Sequence, residues 1–111
     1  MQQKILSGRE REIASRVKTI ALSILPDADV ILYGSRARGD ERFDSDWDFL
    51  ILTDESVTVA LEEKVRRIMD KLSLDCDVVI SAFIENRQYW LTPLAKASPY
   101  HRAIEHEGIA V

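Results

Sequence analysis

Cysteine is almost missing from this chain of 111 residues, where Cys76 stands alone. A single thiol cannot close an internal disulfide, so the fold must rest on burial and hydrogen bonding, and the composition suits a reducing compartment. No apolar run approaches the roughly 20 residues needed to cross a bilayer. The opening stretch MQQKILSGRERE lacks the apolar core of a signal peptide, so a cytoplasmic protein with no membrane attachment is expected. Positive charge is not in excess either. Lys and Arg number 15 against 19 Asp and Glu, a net charge of -4. That balance argues against coating duplex nucleic acid, although a local basic cluster can still hold a phosphate. Glycine and proline are few, at 4 and 3. No linker, repeat or low-complexity tract interrupts the chain, which reads as one domain over 1–111.

Apolar residues, at 46%, outweigh charged ones, at 31%, which is globular rather than disordered composition. Ser7 followed by Glu10 forms a capping box, and Ile13, Val17, Ile20 and Ile24 recur on one helical face ahead of Pro26. Residues 30–33 form a short strand closed by Gly34, and 46–53 form a second. Leu61, Val65, Ile68 and Leu72 predict a helix over 57–73, and 74–81 read as a third strand. Residues 82–97 are less regular. Phe83, Tyr89, Trp90 and Leu91 lie there, with core filling as the favoured reading and a partner face, anchored by Tyr89 and Trp90, as the alternative. Ser98-Pro99 opens a last helix that Gly108 ends. Strands alternating with helices predict an α/β (α+β) domain with helices packed on one face of a small mixed sheet.

The chemistry concentrates in GSRARGDERFDSDWDFLIL, residues 34–52. Side chains alternate along a strand, so Asp46 and Asp48 share one face while Trp47, Phe49 and Ile51 face the helices. Two close carboxylates repel and raise one another's pKa unless a cation sits between them. Magnesium suits that place, since it takes oxygen ligands from one or two carboxylates plus phosphates and water. In the third strand Asp75 and Asp77 share a face. If that strand neighbours the second, a third carboxylate joins the pair and a two-metal site becomes plausible. Upstream, Gly34 permits close approach of a phosphate to the backbone, Ser35 offers a hydroxyl, and Arg36 and Arg38 offer forked donors. No Lys-Ser or Lys-Thr follows the second glycine, so this is not a Walker A loop. Phosphate at 34–38 beside metal at 46–48 is the equipment of phosphoryl or nucleotidyl transfer.

Gly34-Ser35, Arg36-Ala37-Arg38-Gly39 and the run from Asp44 to Leu50 resemble the signature of the polymerase-β-type nucleotidyltransferases. The nearest likeness is to the small stand-alone minimal nucleotidyltransferases, antitoxin-type partners of HEPN-domain toxins. The tail, from Ser98-Pro99-Tyr100 to Glu107-Gly108-Ile109, is similar to the family's closing segment. The resemblance implies a polymerase-β-like fold and an adenylyltransferase with a two-metal mechanism. Asp46 and Asp48 would ligate two Mg2+ ions, with Asp77 a third ligand and catalytic residue beside them. Gly34 and Ser35 would hold the β- and γ-phosphates of ATP, assisted by Arg36 or Arg38. AMP would pass to a hydroxyl, in the HEPN-paired systems a tyrosine of the toxin. Asp75 duplicates Asp77 on the same face and leaves open which of the two serves.

Other readings stay beside these. The chain could act as a catalytically weak neutralising subunit, or transfer to a small molecule. It shows no acceptor-binding domain, so a partner protein or a second copy of the chain must complete the acceptor site. Asp44 reads as a turn cap and Cys76 as core. His101 and His106, five residues apart, do not form a metal pair on one helical face.

Overall fold

The computed structural model of the chain describes residues 5–111, and its first element is the helix that Ser7 caps. Residues 1–4, the start of the stretch read as lacking a signal peptide's apolar core, lie outside the described residues. In α1, Gly8–Ile24, the Ser7 hydroxyl accepts from the Glu10 amide at 3.2 Å, and Glu10 Oε1 accepts from the Ser7 amide at 2.7 Å. The helix buries Ile13, Ala14, Val17 and Ala21, while Ile20 and Ile24 of the predicted stripe are partly buried against the same core.

β1, Asp29–Tyr33, leads through Gly34 into a single helical turn, α2, Ser35–Arg38. β2, Trp47–Thr53, runs antiparallel to β1 and places Asp48 opposite Tyr33. α3, Val59–Cys76, crosses back so that β3, Ile80–Asn86, lies parallel to β2. Three short helices follow: α4, Arg87–Trp90, α5, Pro93–Lys96, and α6, Pro99–Glu107. β4, Ile109–Ala110, pairs antiparallel with β1, which gives a mixed sheet of order β3-β2-β1-β4. Among the described residues no helix is long and apolar enough to cross a membrane.

Strand alternation separates two cores. Trp47, Phe49 and Ile51 of β2 face α1 and α3, joined by Val30 and Leu32 of β1 and by Val65, Met69 and Leu72 of α3. The two long helices thus pack on one face. Across the sheet, Ile31, Leu50 and Leu52 pack with Trp90 of α4 and Ile104 of α6. Asp48 shares this second face with Tyr33, and Tyr100 covers them from α6.

The third strand differs from the sequence reading by several residues. Residues 74–76 continue α3, and Asp77 is its C-cap, with φ 55° in the left-handed region that Asp tolerates better than most residues. Its amide donates to the carbonyls of Leu74 and Ser73. The Asp75–Asp77 alternation therefore belongs to a helix end, because the apolar spacing that carries Val65, Met69 and Leu72 runs on to Cys76. Cys76 is only partly buried, against the core and beneath Arg16, whose Nη1 lies 3.1 Å from its sulfur.

Trp90 is a core residue rather than a partner anchor. It is 7% exposed and stacks on His101 at 4.0 Å, and the His101 Nε2–H donates to the Trp90 carbonyl at 2.8 Å. Tyr89, at 47%, is open to solvent. Trp90→Ala should cost about 3–5 kcal/mol in urea unfolding, the usual range for deleting a buried large aromatic, while Tyr89→Ala stays within about 0.5 kcal/mol. Equal and small effects of the two would contradict this assignment.

Candidate active site

Four elements meet around Gly34. It follows β1 with φ 79° and starts α2, and a Cβ built on it would run into the Asp48 carboxylate. Glycine is required on both grounds. The close approach places the Asp48 side chain against the backbone turn that leads to Ser35. The carbonyl of Gly34 accepts from the Ala37 and Arg38 amides, and Gly39 closes the turn with φ 87°.

The Gly34 amide donates to Glu107 Oε2 at 2.7 Å, and Arg38 Nη1 donates to the same oxygen at 2.9 Å. Glu107 is the last residue of α6 and is buried. A carboxylate in a helix's last turn is disfavoured by the helix dipole, so its burial there marks a specific contact. Sequence reasoning placed Glu107 only in the closing segment. No local sequence signal marks it, because its burial is set by contacts with Gly34 and Arg38 far along the chain.

Asp46 is exposed just before β2, and Asp48 is half-buried within it. Burial is the main reason that the Asp48 carboxyl titrates above the usual carboxylate range. The negative charges of Asp46 and Glu107 push the same way, and Arg38 opposes them. Burial, then the contact with Tyr100, also drives the Tyr33 phenol far upward, so it stays protonated across the physiological range. Its hydroxyl lies 3.5 Å from that of Tyr100.

The four residues read as phosphate ligands do not all converge. The Ser35 hydroxyl makes no side-chain hydrogen bond among the described residues. Arg38 is engaged by Glu107 and by Asp40 but keeps further N–H donors. Arg36 is turned to the other side of the sheet. Its guanidinium sits 4.4 Å over the Trp47 ring, and its Nη2 donates to the carbonyls of Ser45 and Phe43. It pins the loop ahead of Asp46 and does not face Asp48.

The model of the nucleotidyltransferase domain family matches residues 11–107. The chain belongs to that family. A relative from Methanocaldococcus jannaschii, named a "putative protein adenylyltransferase", is 41% identical over 75 residues, covering 66% of this chain and 76% of the relative. Among solved structures, a "putative minimal nucleotidyltransferase" superposes with TM-score 0.63 at 20% identity, covering 99% of this chain and 100% of that one. A "toxin-antitoxin with AMP-PNP" superposes with TM-score 0.59 at 17% identity, covering 86% of this chain and 69% of that one. These structures share the fold, which is that of the minimal nucleotidyltransferases.

For this nucleotidyltransferase the third carboxylate does not arrive where the sequence reading put it. In the parallel pairing of β2 with β3, the residue beside Asp48 is Ser81. Asp77 lies three residues before β3 starts and lines a cleft with Arg36, Phe43, Asp44 and Ser45. Asp75 is exposed and lines a groove with Arg16 and Thr19 of α1. Among the described residues no group of three or more His, Cys, Asp or Glu side chains is placed to hold a metal ion.

Asp48 also gives a stability prediction with a definite sign. Its folded pKa lies above the ordinary value of 3.8, so the folded state holds the proton more tightly. The stabilisation is complete below the unfolded pKa and is lost as pH rises through the folded value. Asp48→Asn should therefore melt at or above wild type at pH 7 without divalent metal, with the gain vanishing toward pH 3. A mutant that melts clearly lower at pH 7 would show that favourable contacts hold the carboxylate.

Proposed function

We propose that this chain is a magnesium-dependent adenylyltransferase that moves AMP from ATP to a hydroxyl, and that the acceptor is a tyrosine of a HEPN-type toxin partner. One observation carries the reading: Asp48, near the start of β2, lies directly against the Gly34 turn, with Asp46 just ahead of the strand. The names of the Methanocaldococcus jannaschii relative and of the AMP-PNP toxin-antitoxin structure support the choice of AMP and of a toxin partner. The lone cysteine fits a cytoplasmic setting.

The donor set fits one divalent cation. Burial first, and then the charge of Asp46, raise the Asp48 pKa, and a cation held by the two carboxylates would offset that repulsion. When bound, magnesium would neutralise charge on the phosphates and polarise the α-phosphorus. The protein's part is positioning. Gly34 gives clearance beside Asp48, the Ser35 hydroxyl donates to a phosphate oxygen, and the remaining Arg38 N–H groups favour the negative charge there. The acceptor oxygen attacks the α-phosphorus, its proton is lost, and pyrophosphate leaves. In this reading the acceptor hydroxyl comes from the partner chain.

Ser81 favours a second reading, in which the chain neutralises its partner by binding and transfers slowly. The two readings separate with ATP labelled at the α- or the γ-phosphate, magnesium, and the product of an adjacent gene. Adenylyl transfer labels the partner from the α-position only, and Asp46→Ala or Asp48→Ala lowers the rate about a thousandfold or more, the scale of several kcal/mol of lost charge stabilisation. Label arriving from the γ-position, or full activity in either mutant, would refute the proposal. Tight complex formation without label would favour the second reading.

A further inference from the structure

We infer that this chain binds one divalent cation with its nucleotide, and that the place of a second cation, between Asp48 and β3, is closed by Ser81. The inference rests on the proposed metal–nucleotide reading of Asp46 and Asp48 and says how far that site extends. Paired residues on neighbouring strands project to the same face with their Cβ atoms about 5 Å apart. Asp48 is paired with Ser81, so a β3 residue at that place can share a cation with Asp48 only if it carries a ligand of suitable charge and length. A serine hydroxyl is neutral and one bond shorter in reach than a carboxylate.

No neighbouring carboxylate makes up the difference. Glu85 projects to the same face four residues further along β3, which is roughly 13 Å at the usual rise per residue. Magnesium–oxygen bonds are about 2.1 Å, so Glu85 cannot share an ion with Asp48. Glu107 is near, but it is tied to Gly34 and Arg38 at the end of β1, on the side of β2 away from β3. Asp77 precedes β3, caps α3, and lines a cleft on the Arg36 side. A two-metal arrangement therefore does not fit this chain's own residues, and a second ion requires a carboxylate supplied from outside it.

The experiment counts Mn2+ bound in the presence of α,β-methylene-ATP, which cannot be cleaved at the bond in question, by loss of the free-ion spin-resonance signal. Wild type should hold about one Mn2+ per chain, and Ser81→Asp about two. Asp77→Asn should leave the count at about one. A wild-type count of two, a drop in Asp77→Asn, or a folded and nucleotide-bound Ser81→Asp that stays at one would each overturn the inference. Should Ser81→Asp not fold, the wild-type and Asp77→Asn counts decide alone. Nucleotide bound with no Mn2+ at all would instead overturn the underlying reading of Asp46 and Asp48, and this inference with it.

Discussion

The missing side chain at Gly34 is the constraint from which the rest of this site follows. A Cβ there would occupy the place of the Asp48 carboxylate, so the carboxylate can keep this place against the turn only beside glycine, which the positive φ of the turn also favours. That contact brings the end of β1, the start of α2 and the first half of β2 to one point. Glu107 adds the end of α6 by accepting from the Gly34 amide and from Arg38. The last helix is thereby tied to the turn that the chain lays down some 70 residues earlier.

The same contact carries an electrostatic cost. Asp46, Asp48 and Glu107 bring three negative charges together, and Arg38 is the cation that acts on Asp48. The strand tolerates this because the residues around Asp48 anchor it from both faces. Phe49, Leu50 and Ile51 are fully buried and Trp47 nearly so. Each such side chain contributes roughly 1.5–3 kcal/mol on burial, so the strand's position does not depend on the ionisation of one half-buried carboxyl. The protein keeps a crowded anionic site on a rigid frame, which is the arrangement a cation with phosphate ligands would fill.

Much of this was legible in the amino-acid order, for identifiable reasons. The capping box of Ser7 and Glu10, the stripe through Ile13 and Val17, and the alternation of Trp47, Phe49 and Ile51 against Asp48 are local patterns, and the structure contains each of them. The third strand was misplaced because Asp75 and Asp77 mimic strand alternation while sitting at a helix end. Val78 and Val79 then look like strand residues, although they only lead into β3. Residue parity was kept, so the face assigned to Asp77 is the face that Ser81 takes four residues later. Arg36 and Glu107 were beyond local reading. Whether an arginine meets a phosphate or an indole, and whether a terminal glutamate meets solvent or a backbone amide, depends on contacts across the whole chain.

The most direct test of the central claim is the anomalous scattering of manganese in crystals of the chain grown with a non-transferable ATP analogue. The account places the manganese peak between the carboxylates of Asp46 and Asp48, with phosphate density at Gly34 and Ser35. A peak in the cleft of Arg36, Asp44 and Asp77, or phosphates bound away from the Gly34 turn, would contradict it.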